Sequence, residues 1–338
     1  MKTLTITGEK QIVVTEREKP QARQGELLLK IHYVGFCGSD LNTFLGKNPM
    51  VKLPVIPGHE IAAEIVETTA GVPDSFKVGM FCTVNPYTNC GHCASCRNGR
   101  PNACRFNETL GVQRDGAMCE YIAVPWQKAI TDESIGVRDF ALVEPMSVGF
   151  HAVSRGQVSD LDRVMVIGCG MIGIGAIARS VLRGAEVIAV DMDDEKLQLA
   201  RQLGAKHAVN SLTEDLSRRI EEITGGNGPD VVIEAVGSPA TYQTAINEVA
   251  FAGRVVCIGY AKTEVAFETK YFVMKELDIR GSRNALPEDF RAVINYIRQR
   301  AGIVDSFVSR ICQPETAADA LTTWAANPGK VFRILVEF

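Results

Sequence analysis

The sequence has 338 residues, more than one typical hydrophobic core organises and enough for two domains. Its apolar fraction of 46%, charged fraction of 22% and formal net charge of −4 exclude a disordered chain and a strongly basic nucleic-acid binder. No apolar run approaches the roughly 20 residues of a membrane helix, and the first ten residues lack the apolar core of a signal peptide. We therefore expect a cytoplasmic protein without membrane or nucleic-acid partners, whose cysteines stay reduced.

Residues 1 to about 147 contain short β-like runs broken by glycine and proline, at 27–34, 61–66 and 121–124. Short runs of this kind with turn residues between them predict a mostly β domain with long loops.

The next stretch, residues 148–284, alternates between strand and helix patterns. The apolar runs at 164–167, 186–190, 231–235 and 254–258 are typical of buried parallel strands, and helical patterns such as 194–203 lie between them. This alternation predicts a doubly wound parallel sheet of the Rossmann type.

After residue 285 the pattern predicts helices at 288–300 and around 316–326 and a strand at 332–338. This segment is too short to fold alone, so we expect it to pack onto the first domain. The predicted class is α/β, with one domain of residues 1–147 plus 285–338 and another of residues 148–284.

A strand, a glycine turn and a helix follow one another at residues 164–178, with a G-x-G-x-x-G pattern at the turn. Glycines there let the backbone approach a pyrophosphate, and the helix N-terminus offers amide donors. This context predicts a dinucleotide site; the alternative is a turn that only packs helix on strand. The residues of the pattern are Gly168, Gly170, Met171, Ile172 and Gly173.

Asp191 ends the second strand of this region, where a carboxylate can accept hydrogen bonds from both ribose hydroxyls and repel a 2′-phosphate. We therefore predict NAD rather than NADP, with an ordinary surface role for Asp191 as the alternative. Lys196, one helical turn onward, can also reach the ribose. The later strand ends at 234–238 and 257–260, which include Gly237 and Ile258, are predicted to wall the cofactor site.

Four cysteines lie close together in the spacing C-x2-C-x2-C-x7-C. Four thiolates so spaced can surround one Zn²⁺ tetrahedrally and leave no open position, which predicts a structural zinc site. An iron–sulfur cluster is the rival interpretation. The residues are Cys90, Cys93, Cys96 and Cys104.

Other potential metal ligands are spread through the first domain. Cys37 lies in the segment GFCGSD, His59 and Glu60 lie in PGHE, and Glu144 lies in VEPMS. Taken singly, each has a plain explanation as a small core cysteine, a hydrogen-bonded histidine or an ordinary carboxylate.

These segments, the cysteine loop and the glycine turn occur in the order found in zinc-dependent medium-chain dehydrogenases, which the whole chain resembles. The resemblance implies a GroES-like catalytic domain beside the Rossmann domain. Glu144, where simple alcohol dehydrogenases carry a cysteine, resembles the polyol (sorbitol) and threonine dehydrogenase branch. The segment 281–290 is similar to L-galactonate and L-gulonate 5-dehydrogenases and to starvation-sensing relatives.

The resemblance implies an oxidoreductase that moves a hydride between NAD and a secondary alcohol of a polyol or sugar acid. One catalytic zinc, besides the structural one, would be held by Cys37, His59 and a glutamate. Glu60 is the expected ligand in the polyol branch, with Glu144 holding a bound water; the two glutamates can also exchange. Zinc lowers the pKa of the bound alcohol.

The resemblance also implies roles for residues near these ligands. Ser39 is expected to relay the proton, and Asp40 to accept a hydrogen bond from the free ring nitrogen of His59. Asn42 stands where many relatives carry a histidine that ends the proton relay, so the proton needs another exit. Arg283 and Asn284 are expected near the cofactor and substrate; Arg283 suits a carboxylate, and a structural ion pair is its alternative.

Other functions remain as alternatives. They are a threonine-type dehydrogenase, a zinc-free reductase, a nucleic-acid-binding regulator built on the cysteine loop, and an NAD-binding regulator without turnover. The metal ligands disfavour the reductase, and the absence of a basic stripe beside the cysteine loop disfavours nucleic acid. The expected partners are a small polyol or sugar-acid substrate and further copies of the chain, as a dimer or tetramer.

Overall fold

The computed structural model describes residues 1–300 and 302–338. The chain separates into two compact units. The first comprises Met1–Pro145 and Leu286–Phe338, and the second comprises Met146–Ala285. Along the described residues, no helix combines the length and apolar character needed to cross a membrane.

The first unit is mostly β-structure. Its strands are β1 (Lys2–Gly8), β2 (Gln11–Glu16), β3 (Glu26–Phe36), β4 (Glu60–Thr68), β5 (Phe81–Val84), β6 (Tyr121–Pro125) and β7 (Ala129–Thr131). Its early helices are α1 (Gly38–Phe44) and α2 (Ala94–Arg97), and α3 (Val143–Arg155) begins at its boundary.

The second unit alternates strands and helices. Its strands are β8 (Arg163–Ile167), β9 (Glu186–Asp191), β10 (His207–Asn210), β11 (Val231–Glu234), β12 (Arg254–Cys257) and β13 (Asp278–Gly281). Its helices are α4 (Met171–Leu182), α5 (Asp194–Gln202), α6 (Leu216–Thr224), α7 (Pro239–Glu248) and α8 (Lys270–Met274).

The last segment returns to the first unit. It contains α9 (Pro287–Gln299), β14 (Arg310–Cys312), α10 (Ala317–Ala326) and β15 (Ile334–Glu337). Strand β15 pairs antiparallel with β3, with Ile334 opposite Phe36. The main sheet of this unit has the order β14-β15-β3-β4-β5-β7, β6 also pairs with β3, and β1 and β2 form a separate antiparallel pair.

The sheet of the second unit is parallel and has the order β10-β9-β8-β11-β12-β13. The order reverses at β8, which is the arrangement of a Rossmann dinucleotide-binding fold. Its strands form near-continuous apolar runs because helices cover both faces; Val164, Met165 and Val166 of β8 are fully buried. The predicted class, a Rossmann sheet domain beside a mostly β domain, is confirmed.

Candidate active site

Three side chains meet at one end of the β3–β4 pair. Cys37 directly follows β3, His59 directly precedes β4, and Glu60 is the first residue of β4. Their ligand atoms all lie within 4.8 Å of one another. Glu60 is fully buried, His59 is almost fully buried and Cys37 is partly exposed.

The strand register explains why these residues meet. Gly35 on β3 lies opposite Glu60 on β4. A Cβ atom on Gly35 would stand 2.2 Å from Glu60 Oε2, so only glycine leaves room for the carboxylate at this place. Helix α1 then starts at Cys37, whose backbone N–H donates to the Asp40 carboxylate over 2.8 Å. This capping interaction fixes Cys37 at the start of the helix.

Arg333, which directly precedes β15, is the counter-charge of this cluster. Its Nη1 donates to the Phe36 carbonyl oxygen over 2.6 Å and lies 3.1 Å from Glu60 Oε1. Both side chains are buried, so this pair is shielded from solvent and salt. The contact depends on the pairing of β15 with β3, which brings Arg333 beside the ligands.

Burial and neighbouring charge shift the titration of these ligands. Burial raises the pKa of Glu60 to about 7, although the Arg333 guanidinium opposes the shift. Burial opposes protonation of His59, but contact with Cys37 and the charges of Asp40 and Glu144 together raise its pKa well above its usual value. The acidic groups around His59 favour a positive charge at this point of the unit, and a bound cation would be favoured by the same groups.

Glu144 lies beside this cluster without belonging to the group of mutually close ligand atoms. It is the second residue of α3, and its carboxylate accepts a short hydrogen bond from the Tyr87 hydroxyl. Both side chains are buried. Its charge still raises the pKa of both His59 and Glu60, so Glu144 is close enough to act on the same bound group.

The residues around Cys37 differ from expectation in one respect. Asp40 does not accept a hydrogen bond from the free ring nitrogen of His59, because its Oδ2 caps α1 and His59 Nδ1 has no partner among the described residues. The Ser39 hydroxyl is buried and likewise unpartnered in the described chain. Asn42 Nδ2 donates to the Gly38 carbonyl oxygen over 2.9 Å, which turns this side chain back onto its own helix.

The donor set of this cluster fits a zinc ion. A thiol, an imidazole and a carboxylate are the ligands that zinc uses in proteins, and three protein ligands leave a further position for water or substrate. His59 Nδ1 and Glu60 Oε2 are buried and have no hydrogen-bond partner in the described part of the chain, and Glu60 Oε1 has the ion pair with Arg333. Buried polar atoms without partners cost free energy, and a coordinated cation removes that cost.

The cysteine loop forms a second, separate cluster. The four Sγ atoms lie within 4.8 Å of one another, with Cys93 Sγ 3.5 Å from Cys96 Sγ and 3.8 Å from Cys104 Sγ. Ligands at zinc–sulfur distances of about 2.3 Å in a tetrahedron stand roughly 3.8 Å apart. Backbone N–H groups of Cys90, Cys93 and Phe106 each donate to a cluster sulfur over 3.3 Å. The loop therefore fits a closed four-thiolate site.

In the second unit the glycine turn has the expected geometry. Gly168, which follows β8, has φ of +93°, and a Cβ on Gly173 would stand 1.7 Å from the Gly168 carbonyl oxygen. Nothing lies within 4 Å of a Cβ built on Gly170, so the backbone there faces open space at the start of α4. The helix begins with Met171 and Ile172.

Asp191 ends β9 beside this turn. Its Oδ2 accepts from the Cys169 backbone N–H over 2.7 Å, and its Oδ1 accepts from the N–H groups of Met192 and Asp193. Lys196 is buried on α5, and its charge is near enough to oppose the rise that burial and Asp191 cause in the pKa of Cys169. The turn, the carboxylate and the lysine thus form one group.

The remaining predicted cofactor residues lie at the carboxyl ends of the neighbouring strands. Gly237 follows β11 with φ of +80°, and Ile258 follows β12 and donates its N–H to the Glu234 carbonyl oxygen over 2.9 Å. Arg283, which is exposed, and Asn284, which has φ of +54°, follow β13. In a doubly wound sheet ligands bind at this edge.

Two residues of these sites carried no signal in the sequence, and a third carried only a weak one. Arg333 and Tyr87 are the partners of Glu60 and Glu144, and an isolated arginine or tyrosine has no pattern that reveals a distant partner. Glu234 is fully buried, and its Oε1 accepts from the N–H groups of Val236 and Gly237 and from Thr241 Oγ1, which fixes the turn after β11. The apolar setting of Glu234 at a strand end was its only available signal.

Comparisons with known proteins agree with these geometries. Residues 23–133 match the family model of the alcohol dehydrogenase GroES-like domain, and residues 172–299 match that of the zinc-binding dehydrogenases. L-Galactonate-5-dehydrogenase of Escherichia coli K12 is 33% identical over 87% of this chain and 86% of its own length. Sorbitol dehydrogenase of Bacillus subtilis is 32% identical over 83% of this chain and 81% of its own length.

A solved structure shares the whole architecture. The alcohol dehydrogenase rspB of Escherichia coli CFT073, crystallised with cofactor NADH, superposes with a TM-score of 0.91 at 29% identity and covers 100% of this chain and 99% of its own. The two family models and the curated relatives carry the conclusion, because each relative above 30% identity spans more than two thirds of both chains. The chain is a zinc-type medium-chain dehydrogenase of the polyol dehydrogenase branch.

Proposed function

We propose that this enzyme oxidises a secondary alcohol of a polyol or sugar acid to the ketone, with reduction of NAD⁺ to NADH and release of one proton. The observation that carries the proposal is the set of Cys37, His59 and Glu60, whose ligand atoms lie within 4.8 Å of one another. His59 Nδ1 and Glu60 Oε2 are buried without a hydrogen-bond partner in the described chain. In a dehydrogenase of this family, such a set is suited to one catalytic zinc ion. The cysteine loop is suited to one structural zinc ion.

Zinc held by Cys37, His59 and Glu60 supplies Lewis-acid polarisation of the substrate oxygen, which lowers the pKa of the alcohol. The chain's own residues then position the substrate and accept its proton. Arg333 holds the Glu60 carboxylate through an ion pair, and Tyr87 holds Glu144 in place through its hydroxyl. Glu144 is the group we assign to the water or substrate hydroxyl.

A proton must also leave the site. The Ser39 hydroxyl is buried next to the Cys37 ligand and has no partner in the described part of the chain, so it can accept one proton while donating its own. Asn42 cannot continue the relay, since an amide does not titrate near neutral pH. The exit therefore passes through water or the substrate's own hydroxyl groups.

The glycine turn and Asp191 are the proposed holders of NAD⁺, which supplies the hydride acceptor. The open space over Gly170 at the start of α4 admits a pyrophosphate, and the helix N-terminus favours its charge. Asp191 already accepts three backbone N–H groups, which fixes its carboxylate beside the turn. Lys196, Gly237, Ile258, Arg283 and Asn284 are assigned to the same site.

A cytoplasmic homo-oligomer, a dimer or tetramer, is part of the same proposal. The cysteines of the described chain are free, as in a reducing compartment. Strand β13 ends its sheet without a neighbour on one side in the described chain, and Val273, Met274 and Ile279 nearby are exposed. Sedimentation analysis tests the assembly: a monomer at micromolar concentration contradicts it.

The activity is tested by screening neutral polyols and aldonic acids with NAD⁺ while following the absorbance of NADH. We expect turnover of at least one secondary alcohol and two zinc ions per chain by metal analysis. The variant Glu144→Ala is expected to lose turnover while NADH binding, measured by fluorescence, persists. Normal turnover of Glu144→Ala would remove this residue from the mechanism.

The cofactor assignment has its own test. Asp191→Ala removes the carboxylate that repels a 2′-phosphate, so the preference for NAD⁺ over NADP⁺ is expected to fall by at least about tenfold. The control is Glu195→Ala, which removes a neighbouring exposed carboxylate and should leave the preference unchanged. An unchanged preference in Asp191→Ala contradicts the ribose role.

A further inference from the structure

A groove of about 400 Å³ lies in the first unit between the segments 50–55 and 112–115. Two cationic side chains line it, Arg114 and Lys52, and one carboxylate, Asp115. Asp115 is already engaged, because Arg17 Nη1 and the Ile56 backbone N–H donate to its two oxygens over 2.9 and 3.0 Å. The groove therefore presents positive charge.

Both walls of the groove contact backbone or side chains close in sequence to the candidate metal ligands. Gly116 donates its N–H to the Ile56 carbonyl oxygen, and Ala117 donates to the carbonyl oxygen of Gly58, the residue before His59. A Cβ on Gly111 would stand 2.5 Å from the Gly58 nitrogen, so the loop that carries Arg114 lies directly on this turn.

The other wall begins at Asn48, whose side-chain amide reaches the Ser39 carbonyl oxygen over 3.4 Å and the Thr43 hydroxyl over 3.1 Å. Asn48 Oδ1 in turn accepts from the backbone N–H of Met50, which lines the groove. The segment 50–55 is therefore connected through Asn48 to the helix that follows Cys37, and the segment 112–115 lies on the turn before His59.

Arg114 is a cation with unused hydrogen-bonding capacity. Its side chain is half-buried, its Nε is buried without a partner in the described chain, and its Nη2 makes one long contact of 3.4 Å to the Pro86 carbonyl oxygen. Burial lowers the pKa of Arg114, while the charge of Glu108 opposes this shift without forming an ion pair in the described chain. Lys128, bonded to the Tyr87 carbonyl oxygen, adds a second positive charge nearby.

We propose that this groove is an oxyanion subsite in which Arg114, with Lys52 at its rim, binds the carboxylate or phosphate group of an anionic polyol substrate. The inference rests on the proposed function, and it narrows the substrate class from polyols in general to those that carry a terminal anion. The relatives reported above include enzymes named for a neutral polyol and for a sugar acid. The proposed role of Arg114 groups this chain with the enzymes named for a sugar acid.

The physical reason is the balance of desolvation and pairing. A half-buried guanidinium with an unpaired Nε has lost hydration without gaining a full set of acceptors. A carboxylate or phosphate matches its planar fork with two parallel hydrogen bonds and neutralises its charge. The same groove offers a neutral hydroxymethyl group no comparable gain.

The test compares three substrates of equal chain length: a hexitol, a hexonate and a hexitol phosphate. For the wild-type enzyme we expect kcat/KM to be at least about tenfold higher for one of the two anions than for the hexitol, and the better anion identifies the source of the charge. In Arg114→Gln, kcat/KM for that anion should fall on the order of 10–100-fold, mostly through KM, while the value for the hexitol stays within about threefold. Arg114→Lys should recover part of the loss.

Arg310→Gln is the matched control, because it removes one exposed arginine of the same unit and should change none of these ratios. An equal loss for neutral and anionic substrates in Arg114→Gln overturns the subsite, as does a wild-type preference for the hexitol. Titration calorimetry measures the affinity of the enzyme for the hexonate and for inorganic phosphate, and so tests the subsite independently of turnover. This affinity must weaken in Arg114→Gln but not in Arg310→Gln. If that holds while no alcohol is oxidised, the subsite stands and the proposed function fails.

Discussion

The two ligand clusters of the first unit are built in opposite ways. The four cysteines lie within residues 90–104, on a loop in which three of them are partly exposed and Cys104 is buried. The Cys90 and Cys104 sulfurs accept backbone N–H groups from the same loop. Cys37, His59 and Glu60 come from a strand end, a turn and a second strand. His59 and Glu60 are buried, and His59 Nδ1 and Glu60 Oε2 have no hydrogen-bond partner in the described chain.

This difference separates the tasks of the two sites. A loop with four thiolates around one metal ion has no open coordination position for a substrate, and it gains rigidity from the metal. Three ligands from separate elements, with polar atoms that lack hydrogen bonds, leave a coordination position for water or substrate. The cluster of Cys37, His59 and Glu60 is therefore the one to test for catalysis.

The largest effect is expected from Cys37→Ala. Loss of one of three metal ligands should lower kcat by at least about 1000-fold, which corresponds to about 4 kcal/mol of transition-state stabilisation. Zinc content should fall from two ions to one per chain, while NADH binding is retained. The control Cys312→Ala removes a buried cysteine outside both clusters and should keep both ions. Full activity of Cys37→Ala would contradict the assignment of catalysis to this cluster.

The next largest effect is expected from Arg333→Met, and it concerns the stability of the Cys37, His59 and Glu60 cluster. It leaves the buried Glu60 charge without its partner, which should lower the free energy of unfolding by about 3 kcal/mol. The double variant Glu60→Gln/Arg333→Met removes both charges and should recover a substantial part of that loss. Chemical denaturation of the four proteins in the cycle measures the coupling. Strict additivity would show that the two side chains do not interact.

A smaller effect, on stability and not on turnover, is expected from Cys104→Ala in the cysteine loop. Opening this site should lower the Tm by roughly 5 °C and expose residues 89–107 to proteases, while kcat of the folded enzyme stays within about threefold. Metal analysis should again show one ion per chain. If kcat fell as far as in Cys37→Ala, the loop would have to take part in the reaction.

The smallest effect is expected from Tyr87→Phe, which removes the hydroxyl that donates to Glu144. Loss of one hydrogen bond to the buried Glu144 carboxylate should cost about 1–2 kcal/mol, so kcat should fall about five- to thirtyfold. Tyr33→Phe is a matched control, because the Tyr33 hydroxyl donates to Glu337 over 2.9 Å in the same unit. Equal kinetics for the two variants would leave Tyr87 with a role in stability alone.

The sequence predicted what is encoded locally. The cysteine loop and the glycine turn each lie within a short stretch, so spacing alone indicates which atoms meet. The alternation of strands and helices in residues 148–284 likewise predicted a parallel sheet, because each strand and its helix are neighbours in the chain. For Cys37, His59 and Glu60 the residues alone were ambiguous, and the family resemblance was needed to group them.

The unpredicted part of the site depends on distant pairing. Arg333 and Phe36 are 297 residues apart, and Tyr87 and Glu144 are 57 apart. No periodicity connects such positions, because their contact follows from the register of β15 on β3 and from the entry of α3. The expected hydrogen bond between Asp40 and His59 was wrong: Asp40 Oδ2 accepts from the nearby Cys37 N–H, while Asp40 Oδ1 and His59 Nδ1 make no hydrogen bond in the described chain.

The placement of Arg333 has a consequence for how the protein is made. During synthesis, Cys37, His59 and Glu60 leave the ribosome before the whole Met146–Ala285 unit, and the guanidinium that neutralises Glu60 emerges only afterwards. Strand β15 can pair with β3 only after the second unit has been synthesised, so the contact of Arg333 with Glu60 is among the last of this cluster to form during translation.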